Sequence, residues 1–197
     1  MIYKCTVIGK VLVVEVEDKF DRAMLFCRAQ EFYESQNPDF RGVQRFDIWE
    51  YLKWHEKEYK ESYTQRWEGF NLPMEVAQLA TVKPQTKYDS KFEKIIRYNN
   101  IKADYIIGVD KIGSDTFHHE MAHGMYYTNT EYRDEMLQEI ARMPENKMDI
   151  LYNYLIEEGY HPDKVVDEIQ AYMVSGGEGI EYEARFREIY NRYTPEF

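Results

Sequence analysis

The chain has 197 residues and a formal net charge of −11, from 25 Lys and Arg against 36 Asp and Glu. Apolar residues make up 44% and aromatic residues 16%, which is too much core-forming material for a disordered chain. The acidic balance argues against a nucleic-acid partner and against a membrane partner, because both kinds of surface attract clustered Lys and Arg.

The first half of the sequence predicts a mixture of strands and helices. Residues 2–16 are β-branched and partly alternating, which is typical of one long strand or of a hairpin that turns at Gly9-Lys10. Aspartate caps open two predicted helices, 19–36 after Asp18 and 48–59 after Asp47. An irregular aromatic segment over 60–74 is then followed by a predicted strand over 75–82, a short helix over 90–99 and a strand over 104–110.

The second half predicts helices almost throughout. Proline and glycine separate five helical segments, at about 115–127, 130–142, 146–158, 162–174 and 181–193. The prediction is therefore one α+β domain over residues 1–197, with a mixed lobe (1–114) and a helical lobe (115–197) that meet near residue 115.

The compartment is predicted from two further features. No apolar run approaches the ~20 residues of a spanning helix, and the first residues lack the pattern of a signal peptide. Two cysteines, Cys5 and Cys27, are too few for a disulfide framework and are expected to be free thiols. These features predict a cytoplasmic protein.

One segment carries recognisable chemistry. His119-Glu120-Met121-Ala122-His123 matches the pattern H-E-x-x-H and lies on a predicted helix that Ser114 or Asp115 would cap. Residues i and i+4 of a helix project on one side, so the two imidazoles can bind one zinc ion. Glu120 follows the first ligand and is placed to act on a metal-bound water as a general base.

A catalytic zinc site usually needs a third protein ligand. Six positions after His123, where a metzincin has its third histidine, stands Asn129. A better source is the predicted helix 162–174, whose Asp167 or Glu168 can return to the metal through a helical hairpin. Other acids also stay open as the third ligand, namely Glu131 and Glu135.

Over residues 115–174 the sequence resembles the gluzincin group of zinc metallopeptidases, which carry H-E-x-x-H on one helix and a glutamate ligand on a later one. The resemblance implies that His119, His123 and Glu168 bind zinc and that Glu120 is the base. Where the thermolysin-like pattern has a carboxylate that braces a ligand histidine, this chain has Tyr172.

Several residues are candidates to stabilise a developing oxyanion. They are Tyr172, His161, Tyr160, Tyr126 and Tyr127. Among them, His161 precedes Pro162 at a predicted helix start and could equally be a capping residue.

Two other histidines and an aromatic run are interpreted without a catalytic role. His118 points about 100° away from His119 on a helix, and His55 lies in a charged helix where it is expected to be solvated. The aromatic residues between Trp49 and Phe70 are interpreted as core in preference to the lining of a substrate cleft.

The resemblance implies a zincin-like fold in which the strand over 104–110 lies at the edge of the cleft and pairs with an extended peptide. The expected function is peptide-bond hydrolysis by a zinc-activated water with Glu120 as general base, on a peptide or protein substrate. The alternatives are an inactive zincin-like domain that holds metal structurally and a metal-free interaction domain. A fourth protein ligand, His118 or Asp167, would favour a structural metal site.

Overall fold

The computed structural model describes residues 1–80, 86–99, 102–177, 180 and 183–196. The fold is α+β, as predicted, with a small mixed sheet in the first half and mostly helices after it. The strands are β1 (Lys4–Ile8), β2 (Val11–Glu15), β3 (Phe70–Pro73) and β4 (Tyr105–Val109). The helices before β4 are α1 (Lys19–Glu34), α2 (Ile48–Tyr59), α3 (Tyr63–Arg66), α4 (Met74–Ala80) and α5 (Lys87–Asn99). Those after it are α6 (Asp115–Thr128), α7 (Thr130–Ile140), α8 (Glu145–Glu157), α9 (Val165–Ser175) and α10 (Ala184–Tyr193), with a 3-10 turn at Pro162–Lys164 before α9.

The described strands form one sheet in the order β1-β2-β4-β3. The pairs β1–β2 and β3–β4 are antiparallel, whereas β2 and β4 run parallel. The predicted hairpin is confirmed: Gly9 takes a φ of +58° at the turn, a conformation that glycine adopts without steric cost.

The sheet lies between two helical layers, because its central strands are apolar on both faces. In β2, Val11 and Val13 face the core formed with α6 to α10, whereas Leu12 and Val14 face the core formed with α1, α2, α4 and α5. This alternation follows from the two-residue period of a strand. Helix α1 is buried on all sides along its middle, from Arg22 to Glu31, rather than along one face.

Three sequence predictions about elements are corrected. The predicted strand over 75–82 is helix α4 as far as Ala80, and its last two residues lie outside the described residues. Ala77 and Ala80, three apart, are buried while Leu79 is 52% exposed, which is a helical pattern and not an alternating one. The irregular segment 60–74 contains α3 and β3, and β3 covers the side of β4 that was expected to be the sheet edge. The outermost strand beside the site is therefore β3.

Most of the remaining helix predictions agree with the structure within a few residues, although the start of the last one, at 181, lies outside the described residues. Cys5 and Cys27 are free thiols. Within the part of the chain that is described, no helix combines the length and apolar character needed to cross a bilayer.

Candidate metal centre

Helix α6 presents the two histidines of the H-E-x-x-H segment. Its cap is Ser114, whose hydroxyl accepts a hydrogen bond from the backbone N–H of Phe117 at 3.1 Å. The side chains of Phe117 and Met121 are fully buried toward the sheet, so the neighbouring face of the helix turns His119 and His123 toward α9. The two imidazole rings are 5.0 Å apart between centroids, one turn of helix from each other.

Helix α9 brings Glu168 to these histidines. Glu168 Oε2 lies 3.5 Å from Nε2 of His119 and 3.5 Å from Nε2 of His123, and the two Nε2 atoms are 3.3 Å apart. Within the described residues, these three side chains form the group of His, Cys, Asp or Glu whose ligand atoms converge closely enough to hold a metal ion.

The triangle of ligand atoms has the size of a tetrahedral zinc site. Zinc–ligand bonds of about 2.0–2.1 Å place two tetrahedral ligand atoms about 3.3–3.4 Å apart. The three observed separations, 3.3, 3.5 and 3.5 Å, match that edge length. Glu168 Oε2 is also buried and has no hydrogen-bond partner among the described residues. The group could thus hold one metal ion.

The Nδ1 atom of each imidazole, on the side away from Glu168, faces a residue of α9. The Ser175 hydroxyl donates to the carbonyl of Ala171, so its oxygen can accept from the Nδ1–H of His119 at 3.1 Å. His123 Nδ1 lies 2.9 Å from Oδ1 of Asp167, which as a carboxylate can only accept. His119 therefore carries a proton on Nδ1 and turns Nε2 toward Glu168, whereas His123 Nδ1 approaches Asp167 closely without hydrogen-bond geometry.

The charges of the site attract a cation. Burial lowers the pKa of His123, but Asp167 and Glu168 outweigh it and raise that pKa well above its usual range. Burial also raises the pKa of Glu168, yet the neighbouring His123 and His119 bring it down to about 2. A cation shared between the two Nε2 atoms and the carboxylate satisfies all three groups, and a divalent metal does so with all three as ligands.

Glu120 is held next to the metal triangle by residues of β3 and β4. The Asn71 side-chain amide donates to Oε2 of Glu120 at 2.8 Å, and the Tyr105 hydroxyl donates to Oδ1 of Asn71 at 2.6 Å. Gly69 packs against the other side of Glu120, where any Cβ would overlap with the carboxylate. Burial raises the pKa of Glu120, and the adjacent His119 and His123 partly offset this rise.

Two of the five predicted oxyanion candidates, Tyr172 and His161, lie in different settings. The Tyr172 ring is 4.7 Å from the His119 ring, and its hydroxyl is 2.9 Å from that of Tyr160. His161, like Tyr172, lines a cavity beside the ligand atoms. Its Nδ1 accepts from the backbone N–H of Asp163 at 3.3 Å and caps the 3-10 turn.

The other candidates lie away from the triangle. His118 Nδ1 is 3.0 Å from the Tyr190 hydroxyl, and the Tyr127 hydroxyl donates to Glu75. Glu131 is exposed, and Glu135 binds Arg192 and Tyr193.

The expectation for His55 is wrong. Its side chain is 1% exposed and lies among the rings of Tyr51, Tyr59 and Tyr63. The charges in the surrounding sequence belong to the outer face of α2, whereas His55 lies on the inner face at a four-residue spacing from Tyr51 and Tyr59.

A cavity of about 260 Å³ opens onto the metal triangle. His119, Glu120 and Glu168 form one end of its wall, and residues 69–71 along β3 form a side. The aromatic run divides between two roles, since Tyr63 is a core residue while Trp54, Tyr59 and Trp67 line the cavity, and Phe70 does both.

Sequence reasoning missed the residues that support the site. Asp167 was considered as a ligand and lies instead against the outer nitrogen of His123. Asn71 and Gly69 carried no signal, because their role depends on the pairing of β3 with β4. Ser175 is seven residues after Glu168, or two helical turns, and that spacing could have indicated a shared face.

The chain has no significant match among protein-family models, curated proteins or solved structures.

Proposed function

We propose that this protein is a zinc-dependent hydrolase, a gluzincin-like metallopeptidase with His119, His123 and Glu168 as ligands. The observation that carries the proposal is the triangle of ligand atoms, with edges of 3.3–3.5 Å. Two imidazoles and one carboxylate form a donor set that zinc favours over harder cations such as magnesium.

The zinc, when bound, supplies Lewis acidity that lowers the pKa of a water and polarises a carbonyl. Glu120 accepts the proton of the attacking water on its carboxylate and then gives that proton to the leaving amine. Asn71 fixes one carboxylate oxygen of Glu120 through a 2.8 Å hydrogen bond. Burial raises the pKa of Glu120, which makes its carboxylate a stronger proton acceptor.

Tyr172 is the better of the two proposed oxyanion donors. It lies on α9 one turn after Glu168 and contacts His119, so its hydroxyl is near the reacting carbonyl in this proposal. His161 is less suited, since its Nδ1 is already used in capping.

A peptide or protein is the proposed substrate. The cavity runs beside β3, the outermost described strand, and an extended peptide can align with such a strand. This places the scissile bond between β3 and the metal triangle.

The proposal is tested with zinc-loaded protein and a peptide library whose products are identified by mass spectrometry. Glu120→Gln should keep zinc and lower kcat/KM by about 10²–10⁴-fold, because only the proton acceptor is lost. His123→Ala should lose both zinc and cleavage. Glu131→Gln, the same change on an exposed residue of the next helix, is the control.

Two results would contradict the proposal. Equal cleavage by wild type and Glu120→Gln would show that Glu120 is not the general base. Stoichiometric zinc without any cleavage would favour the alternative, a zincin-like domain that holds metal structurally.

A further inference from the structure

The cavity extends beyond the metal triangle into a chamber between α1 and α2. Glu31 of α1 lines this chamber together with the α2 residues Tyr51, His55 and Tyr59, which recur at a four-residue spacing. This chamber, called the α1–α2 chamber below, takes no part in the hydrolytic chemistry proposed above.

Glu31 is a buried carboxyl that pairs with no cation among the described residues. Its side chain is 7% exposed, and no Lys or Arg in the described part of the chain pairs with it. Burial raises its pKa to about 7, and hydrogen bonds with Tyr51 and Ser35 offset that rise only in part. A buried acid of this kind costs free energy of folding unless a cation arrives to pair with it.

His55 adds an unsatisfied acceptor to the same chamber. Its Nδ1 is 3.2 Å from the carbonyl of Glu61, which can only accept, so the proton is on Nδ1 and Nε2 carries a lone pair. That Nε2 is buried and has no hydrogen-bond partner among the described residues. Burial lowers the pKa of His55 to about 4, so the ring stays neutral and can accept an N–H at pH 7.

The cationic side chains that line the cavity, Arg66 and Lys164, bind groups other than Glu31. Arg66 donates to the carbonyl of Glu158 at 2.6 Å and lies over the Tyr59 ring at 4.7 Å. Lys164 lies 3.8 Å from Glu34 and also donates to Tyr33. Neither side chain forms an ion pair with Glu31.

We infer that the α1–α2 chamber binds the cationic side chain of a Lys or Arg residue in the peptide substrate. Glu31 pairs with the charge, Nε2 of His55 accepts one N–H, and the aromatic ring of Tyr51 flanks the cation. This inference rests on the proposed peptidase function, and it makes Glu31 and His55 specificity-determining residues rather than catalytic ones.

The first test compares peptides that differ in one side chain. Lys is replaced by norleucine and Arg by citrulline, which keep the shape and remove the charge. Wild type should prefer each cationic peptide by about 10-fold or more in kcat/KM, and Glu31→Gln should reduce this preference to less than about 3-fold. Glu131→Gln should leave it unchanged. Equal cleavage of charged and neutral peptides by wild type would overturn the inference.

The second test is independent of cleavage. n-Butylammonium and n-butylguanidinium are titrated into the protein and followed by NMR, with n-butanol as the neutral probe. Wild type should bind the cations, Glu31→Gln about 10-fold more weakly, and His55→Phe also more weakly. Cation binding without any hydrolysis would contradict the peptidase proposal and support cation binding in the chamber. Hydrolysis with no cation binding would contradict the binding role of the chamber.

Discussion

At the scale of single residues, the site is defined by where protons are held. Ser175 contacts Nδ1 of His119 and Asp167 lies 2.9 Å from Nδ1 of His123, and the Nε2 atoms of both rings face Glu168. Such outer partners raise the basicity of a ligand histidine and hold its ring in place. The function of the two imidazoles therefore depends on α9 as much as on the H-E-x-x-H segment.

Glu31 yields a prediction about pH at this scale. Its pKa is about 7 in the folded protein against 4.5 for an ordinary glutamate, so the folded state holds the proton more tightly. The contribution of protonated Glu31 to the free energy of unfolding is fully present below pH 4.5 and is lost as the pH rises through 7. At pH 8 the free energy of unfolding of Glu31→Gln should therefore exceed that of wild type by about 3 kcal/mol, so the variant unfolds at a higher urea concentration. At pH 4.5 the two proteins should differ little.

Urea unfolding of both proteins across this pH range measures the difference. A gap between the two proteins that stays constant from pH 4.5 to pH 8 would show that Glu31 ionises normally. The sign matters for the chamber, because a carboxyl that destabilises the empty protein at pH 8 indicates a group kept for binding.

The residues that the sequence could predict are those fixed by spacing within one helix. His119 and His123 follow from a four-residue repeat, and Glu120 from its neighbour. The resemblance favours Glu168 over Asp167 as the third ligand, but only the crossing of α6 and α9 decides which carboxylate faces Nε2 and which faces Nδ1.

At the scale of elements, the short strand β3 connects the fold to the site. It pairs with β4 and thereby places Asn71 on Glu120 and Gly69 against the same carboxylate. Four residues that include Asn71 and Pro73 have little strand propensity, so only the pairing with β4 makes this segment a strand. Helices with clear caps, such as α2 after Asp47, could be predicted because the capping contact is local.

Gly69→Ala tests the contact between this segment and Glu120. The new Cβ overlaps with the carboxylate, so the Glu120 side chain must move while the proposed ligands His119 and His123 keep their places. We expect kcat/KM to fall by about 10²-fold, because such a fall follows from a displacement near 1 Å of a reacting group. Zinc content and thermal stability should change little.

Peptide cleavage and zinc content are measured side by side for this variant. Gln65→Ala, an exposed change in the nearby α3, serves as the control. If Gly69→Ala cleaved peptides as fast as Gln65→Ala, the position of Glu120 would not depend on β3.

At the scale of the whole molecule, the sheet separates two apolar cores, and the candidate metal centre lies where α6 crosses α9 beside β3. The fold class and the succession of helices could be predicted, because hydrophobic periodicity is a local property. The placement of helices on both faces of the sheet could not, because it depends on the parallel pairing of β2 with β4 across 89 or more intervening residues. The cavity between α1, α2 and α9 follows from that placement.

The most direct test is a crystal structure of the protein grown with equimolar zinc and recorded at the zinc absorption edge. The account predicts one anomalous peak within about 2.0–2.3 Å of Nε2 of His119, Nε2 of His123 and a carboxylate oxygen of Glu168. No peak between these three groups, or a peak bound by other residues, would contradict it.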